Sequence, residues 1–166
     1  GKAGTYYYYA TPGVISRTPD FREREELSGA FIVDERGART DDRVMVINIW
    51  GEPRDSTRYN NAVTINGKSW PYTERFSENL GDSIRWRVIN ASVRSHPMHL
   101  HGFYYQVTSR GSLLADTILK GVQRDFVVTR HMVPGATMSM TWVPNRPGNW
   151  LFHCHISHHS TALYGR

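Results

Sequence analysis

The chain has 166 residues, of which 39% are hydrophobic, and its formal net charge is +5. That length suits one well-packed domain, or one domain with a fragment of another, and the absence of any run of 18 apolar residues argues against a transmembrane helix. The basic residues are scattered and residues 22–26 alternate in sign, so we expect a solvated surface and no nucleic-acid partner.

The first predicted elements are a tyrosine-rich strand at residues 5–9 and a second strand at residues 29–34. The opening residues have no signal-peptide pattern and resemble the middle of a longer chain, so we expect any signal peptide to have been removed or to lie upstream. A polar stretch at residues 35–42 marks a predicted boundary. Residues 1–42 are too few for a domain by themselves, whereas residues 43–166 suffice for one β-sandwich.

Further strands are predicted where apolar β-branched runs or polar–apolar alternation occur. They lie at residues 44–50, 83–89, 126–129 and 137–143. Turn-forming clusters rich in glycine and proline follow several of them, and no segment carries a helical stripe of three turns. Many short strands with turns between them predict an all-β sandwich or barrel.

Seven of the eight histidines fall in two short segments, H-P-M-H-L-H-G at residues 96–102 and H-C-H-I-S-H-H at residues 153–159. The second segment contains Cys154, the only cysteine, so no intrachain disulfide can form. A lone histidine such as His131 is usually a hydrogen-bonded structural residue, but that interpretation would have to hold seven times here. The clustering therefore predicts metal ligands.

Strand parity divides these residues into two groups, because side chains alternate between the faces of a strand. In a strand over residues 150–155, Cys154 points to one face, while both of its neighbours point to the other. In the first segment, His96 has the opposite parity to His99 and His101. One predicted site therefore combines Cys154, His96 and a histidine after the turn. The second predicted site collects four histidines: His99, His101, His153 and His155.

A thiolate with two imidazoles is the trigonal ligand set of blue-copper electron-transfer sites. Four imidazoles without a carboxylate suit copper or zinc. Zinc is the alternative metal at the cysteine site, although structural zinc sites usually have more thiolates at closer spacing.

The two histidine segments together resemble the multicopper oxidase family, whose laccase-like members carry H-P-x-H-L-H-G and then H-C-H-x-x-x-H in the last domain. Two further segments are similar to the family's sequences. They are N-W-L-F at residues 149–152, which precedes the H-C-H motif, and the strand R-D-F-V-V at residues 124–128. The resemblance covers residues 43–159 and implies a cupredoxin-like fold, which is a Greek-key β-sandwich.

The resemblance also implies a role for each clustered residue. His96, Cys154 and His159 match the type 1 copper ligands, and His159 is preferred to His158 because the motif places this ligand five residues after the cysteine. His99 matches a type 2 copper ligand. The type 3 copper ligands are matched by three histidines: His101, His153 and His155.

The implied activity is that of a laccase-like copper oxidoreductase. A small phenolic or aromatic donor gives one electron to the type 1 copper near His159, and the electron passes through Cys154 to His153 and His155. A trinuclear copper cluster collects four electrons and reduces O₂ to water. The resemblance further implies a secreted or periplasmic location. No membrane partner is expected, because the chain has no long apolar run.

Half of the family's eight cluster histidines come from another domain. The segment G-T-Y-Y-Y-Y-A-T at residues 4–11 is similar to the family's G-T-Y-W-Y-H-S-H, but Tyr9 and Thr11 stand at its two histidine positions. We therefore interpret residues 1–42 as the tail of a preceding cupredoxin-like domain and residues 43–166 as the type 1 copper domain. An upstream domain, or another subunit of a homo-oligomer, is expected to complete the cluster.

Tyr164 occupies the family's axial position, ten residues after the cysteine, and Leu163 is the neighbouring alternative. A truncated, inactive remnant is one alternative, and two other functions stay open. One is an electron-transfer or copper-binding cupredoxin without oxidase activity, because the type 1 ligand set is complete. The other is a protein similar to copper nitrite reductase.

The sequon at residues 90–92 is compatible with glycosylation.

Overall fold

The computed structural model describes residues 2–10, 27–38, 41–51, 61–156 and 159. In these residues the strands are β1 (Gly4–Tyr9), β2 (Ser28–Val33), β3 (Arg43–Gly51), β4 (Asn61–Ile65), β5 (Ile84–Asn90), β6 (His96–Leu100), β7 (Tyr105–Gly111), β8 (Asp116–Ile118), β9 (Phe126–Val127), β10 (Thr129–Met132), β11 (Thr137–Trp142) and β12 (Phe152–Cys154). A short 3-10 helix spans Gly121–Gln123. No helix in these ranges has the length and apolar character that a membrane crossing requires.

The larger sheet has the strand order β4-β3-β5-β11-β7-β8, and β9 pairs with β7 beside this path. β3 and β5 run parallel, whereas the other neighbours are antiparallel. Alternation along the central strands sends every second side chain inward. On β5 and β11 these inward residues include Trp86, Val88, Met138 and Met140, all nearly inaccessible to solvent.

The smaller sheet has three antiparallel strands in the order β10-β6-β12. Its inward side chains, Met98, Leu100, Met132 and Cys154, belong to the same buried cluster as the inward side chains of the larger sheet. The two sheets therefore enclose one hydrophobic core, and the predicted all-β sandwich is confirmed.

The β1–β2 pair packs against the larger sheet through polar contacts. The Thr5 amide donates to Asp116 Oδ2 at 2.8 Å, and Arg87 donates to both Asp34 and Asp42 at 2.6 Å. Thr5 is fully buried by this packing. Residues on both sides of the predicted boundary at residue 42 thus share one polar network.

Candidate metal centre

Strand β6 lies between β10 and β12 and carries potential ligands on both of its faces. Its residues alternate between buried and half-buried, beginning with buried His96. In the antiparallel pairing with β12, Cys154 lies opposite Met98 and His153 lies opposite His99. Cys154 is therefore on the core face with His96, and His153 is on the other face with His99, as strand parity predicts.

The first group of converging ligands consists of His96, Cys154 and His159. Their ligand atoms all lie within 4.8 Å of one another, with Cys154 Sγ 3.5 Å from His159 Nδ1. The His96 and His159 rings are 4.8 Å apart between centroids. Atoms that share one ion at ~2.0–2.3 Å lie about 3–4.5 Å apart, so this spacing is close to that of a metal site.

Burial affects the protonation of His96 and Cys154. Burial, followed by the nearby charges of His159 and Arg94, lowers the pKa of His96 to about 4. Burial also raises the pKa of the Cys154 thiol. His96 is thus neutral and able to donate a lone pair at neutral pH. The thiol requires a bound cation to stabilise its thiolate.

The hydrogen bonds of His96 favour metal binding. Its Nε2 lies 2.8 Å from the hydroxyl of Ser92, whereas its buried Nδ1 has no hydrogen-bond partner among the described residues. Nδ1 is therefore the nitrogen left for a metal ion. Because the donor set is one soft thiolate and two imidazoles, these residues fit copper.

The second group occupies the opposite face of the smaller sheet. It consists of four histidines: His99, His101, His153 and His155. Neighbouring ring centroids are 4.9–5.8 Å apart, and the Nε2 atoms of His101 and His153 face each other at 2.9 Å. Among the described residues, these four do not converge on one point as the first group does. They form an imidazole-lined wall with exposed members.

Hydrogen bonds orient two of these rings. His99 Nδ1 donates to the Val128 carbonyl at 2.9 Å and lies 2.7 Å from Thr129 Oγ1. His153 Nδ1 donates to the Cys154 carbonyl at 2.8 Å. Both rings therefore keep the lone pair on Nε2, as metal-binding histidines commonly do, and that of His153 faces His101 Nε2. Burial lowers the pKa of both rings, which favours the neutral form.

An aromatic clamp, which the sequence did not reveal, holds the loop that follows β6. Gly102 has φ +78°, and a Cβ at this position would lie 2.5 Å from the Trp150 ring. The guanidinium of Arg146 lies over the rings of Trp150 and Phe103 at 5.0 and 5.1 Å, and it donates to the Gly102 carbonyl. The clamp thus joins His101 to the segment that leads into β12.

Several predicted positions fall outside the described residues, namely Thr11, His158, Leu163 and Tyr164. Asn90, the acceptor residue of the sequon, is not accessible for glycosylation in this fold. The Asn90 side chain is fully buried, and its amide nitrogen donates to three backbone carbonyls. His131 lies on β10 opposite Pro97, and its side chain is exposed.

Known proteins share both the sequence pattern and the fold of this chain. The family profile described as multicopper oxidase matches residues 40–165. Ceruloplasmin of Rattus norvegicus is 30% identical over 105 residues, which cover 62% of this chain and 9% of ceruloplasmin. Laccase-9 of Arabidopsis thaliana is 28% identical over 158 residues, which cover 92% of this chain and 24% of the laccase.

A solved structure extends the likeness to nearly the whole chain. The blue copper oxidase of Nitrosomonas europaea has a TM-score of 0.75 and 24% identity, over 97% of this chain and 52% of that one. This likeness concerns the fold and confirms the predicted cupredoxin-like architecture. The chain thus spans about half of that structure, and 9% and 24% of the two curated relatives. With a matching profile over well more than half of its length, the chain belongs to the multicopper oxidase family, whose members are copper-binding oxidoreductases.

Proposed function

We propose that this chain supplies the type 1 copper site and half of a histidine-bound copper cluster to a laccase-like oxidase. That enzyme couples one-electron oxidation of phenolic or similar donors to the reduction of O₂ to water. One observation carries the proposal: Cys154 joins His96 and His159 on the core face, while its neighbour His153 lies opposite His99 on the other face. Copper, when bound, supplies the one-electron redox chemistry.

His96, Cys154 and His159 are the proposed type 1 ligands. His96 and Cys154 are buried in the core, which limits the access of water and restricts ligand movement. A rigid site keeps nearly the same geometry in both oxidation states of copper, and this favours rapid electron transfer. His159, which is half-buried, lies on the side of the site from which a donor is expected to approach.

The backbone of β12 links the two proposed sites. Cys154 is covalently bonded to His153 and His155, and the Cys154 carbonyl also accepts the hydrogen bond from His153 Nδ1 at 2.8 Å. The thiolate and the imidazoles of His153 and His155 are therefore carried by adjacent residues of one backbone segment. This connection supports Cys154, His153 and His155 as the route between donor oxidation and O₂ reduction.

The proposed type 2 ligand is His99, and the proposed type 3 ligands are His101, His153 and His155. The exposed wall that they form requires imidazoles from outside this set. We propose that an upstream domain, or a second copy of the chain, supplies them. Residues 1–42 are then the tail of the preceding cupredoxin-like domain, and family membership supports a secreted or periplasmic location.

Copper stoichiometry measured together with O₂ consumption tests this function. The copper-loaded protein is expected to hold more than one copper per chain and to consume O₂ when a phenolic donor is added. The matched variants are His153→Ala and, as the control, His131→Ala, which removes an exposed histidine from β10. The first is expected to abolish O₂ consumption and the second to preserve it. One copper per chain without O₂ consumption, in protein that includes the upstream domain or forms the homo-oligomer, contradicts the oxidase.

An electron-transfer cupredoxin is the second candidate. It is favoured by the convergence of His96, Cys154 and His159, because these three ligands come together within this chain. Such a protein would have the absorption of a copper–thiolate site and would exchange electrons with a soluble partner without O₂ turnover.

A further inference from the structure

The amide of Asn90 has a fixed orientation at the end of β5. Its Nδ2 donates to the carbonyls of Arg94, Met132 and Val133 at 2.7, 3.1 and 3.0 Å. Rotating the amide by half a turn would place its oxygen against three other oxygens. Oδ1 must therefore face Ser92, whose amide and hydroxyl lie 3.1 and 2.8 Å away.

This orientation determines where the single proton of the Ser92 hydroxyl goes. Asn90 Oδ1 at 2.8 Å and the Arg94 carbonyl at 3.1 Å can only accept it. The Arg94 amide, by contrast, donates to Ser92 Oγ at 3.2 Å. The hydroxyl thus donates to one of these two oxygens. It still has a lone pair that can accept from the remaining neighbour, His96 Nε2, at 2.8 Å.

Only one tautomer of His96 satisfies every group in this network. With the proton on Nε2, the ring donates to Ser92, and Nδ1 keeps its lone pair. With the proton on Nδ1, a buried N–H would have no acceptor among the described residues, and Asn90 Oδ1 would lose the hydroxyl donor. Leaving a buried donor without an acceptor is strongly unfavourable. A charged ring would also be buried without a counter-ion.

We propose that Ser92 is a positioning residue for copper, holding His96 in the Nε2–H tautomer so that Nδ1 is the metal ligand. Asn90 fixes the direction of the Ser92 hydroxyl, and three backbone carbonyls fix Asn90. Ser92 acts through His96 and does not contact the metal itself. The role in copper binding rests on the proposed type 1 site.

The tautomer can be tested on the metal-free chain by nitrogen-15 histidine NMR, independently of copper. The expected result is a His96 ring protonated at Nε2 and unprotonated at Nδ1. In Ser92→Ala the Nε2 proton loses its acceptor, so we expect a mixture of tautomers and faster exchange of this proton with water. A wild-type ring protonated at Nδ1 overturns the proposal.

Copper titration of the same variants tests the positioning role. Ser92→Ala is expected to weaken Cu(II) binding by about 10–100-fold, as is usual when a hydrogen-bond partner of a metal-binding histidine is removed. It should also shift the copper–thiolate absorption band. Ser92→Thr keeps a hydroxyl and should restore both. The control is Ser109→Ala, which removes a buried hydroxyl from β7 that donates to Asp116 and should change neither.

Unchanged affinity in Ser92→Ala, or an equal loss in Ser109→Ala, overturns the positioning role. If wild-type chain binds no copper through Cys154, the proposed function fails, and the NMR result still decides the tautomer. The two failures are therefore distinguishable.

Discussion

At the scale of single residues, His96 combines full burial with a lone pair that is kept available for a metal. The pattern of histidines around the only cysteine predicted this residue as a ligand. Its partner Ser92 was not predicted, because its contact with the ring depends on the bend of the chain between β5 and β6. A hydroxyl four residues before a histidine is common, and sequence alone does not show that the two meet.

The burial of His96 predicts that the metal-free chain is less stable in acid. Its pKa is about 4 when folded and ~6.5 when unfolded, so the unfolded state binds more protons below pH ~6.5. The contribution of His96 to the free energy of unfolding should be nearly constant above that pH and fall by about 3 kcal/mol on going down to pH ~4. Urea denaturation of metal-free chain between pH 7.5 and 4 measures this.

The His96→Gln variant is the control for the pH series, because it has no titrating group at this position. Between pH 7.5 and 4, the free energy of unfolding of the variant should therefore fall by about 3 kcal/mol less than that of the wild type. Parallel pH profiles for the two chains would show that His96 is not the group responsible.

Gly102 offers a second prediction at this scale. In Gly102→Ala, the new methyl group would lie 2.5 Å from the Trp150 ring, and the left-handed backbone would be strained as well. We expect a loss of about 2–4 kcal/mol in the free energy of unfolding. The matched control is Gly81→Ala, which has φ +86° and no atom within 4 Å of the new methyl.

Gly81→Ala should cost only the backbone strain, about 1 kcal/mol. Thermal unfolding of both variants separates the clamp contact from the strain. Equal losses in the two would mean that the Trp150 contact contributes little.

At the scale of elements, the pairing of β6 with β12 places the two groups of metal ligands on opposite faces. We therefore expect that substitutions can remove one group and leave the other. Cys154→Ser should abolish the copper–thiolate absorption, because the thiolate is its source, while the opposite face stays intact. His153→Asn should keep that absorption and abolish O₂ consumption. Absorption spectra and oxygen-electrode measurements of the two copper-loaded variants check this. Loss of the absorption in His153→Asn would contradict the separation of the faces.

The strands that were predicted have a strong apolar signal. β3, β5 and β11 lie within one residue of the predicted ranges, because β3 is a nearly continuous apolar run, buried from residue 45 to residue 49, and polar and apolar residues alternate in β5 and β11. The predicted strand at residues 126–129 is divided into β9 and β10, which pair with different sheets. β12 is shorter than predicted and ends at Cys154.

The strands that the sequence did not predict have a weaker pattern. In β7, the inward residues Tyr105, Val107 and Ser109 include a serine that bonds Asp116. β8 has three residues, too few for a periodicity to be recognised. The Arg146–Trp150–Gly102 clamp joins positions up to 48 residues apart in sequence, and only the assembled sheets bring them into contact.

At the scale of the whole molecule, Arg87 connects the β1–β2 pair to the larger sheet through Asp34, Asp42 and Thr5. The arginine and Asp42 side chains are each 13% exposed. Removing the cation would leave Asp34 without its ion pair to Arg87, and Asp42 would be paired only with Arg85 among the described residues. Arg87→Ala should therefore lower the free energy of unfolding by about 2–4 kcal/mol, measured by chemical denaturation.

Arg85→Ala is the matched control, since this arginine also pairs with Asp41 and Asp42 but is 40% exposed. Exposed ion pairs contribute about 0–1 kcal/mol, so a small loss is expected. An equal loss of unfolding free energy in Arg85→Ala and Arg87→Ala would mean that the contribution of these ion pairs does not depend on their burial.

The alternation of β6 and β12 also has an evolutionary consequence. A single substitution can abolish one metal group and leave the other, so mutation can separate the two functions in small steps. Inserting or deleting one residue inside either strand would instead turn its side chains over and exchange the two faces. Both groups would then be lost in one event. We therefore expect homologues of this domain to differ in the residues of these two segments. The number of residues within each segment should stay constant.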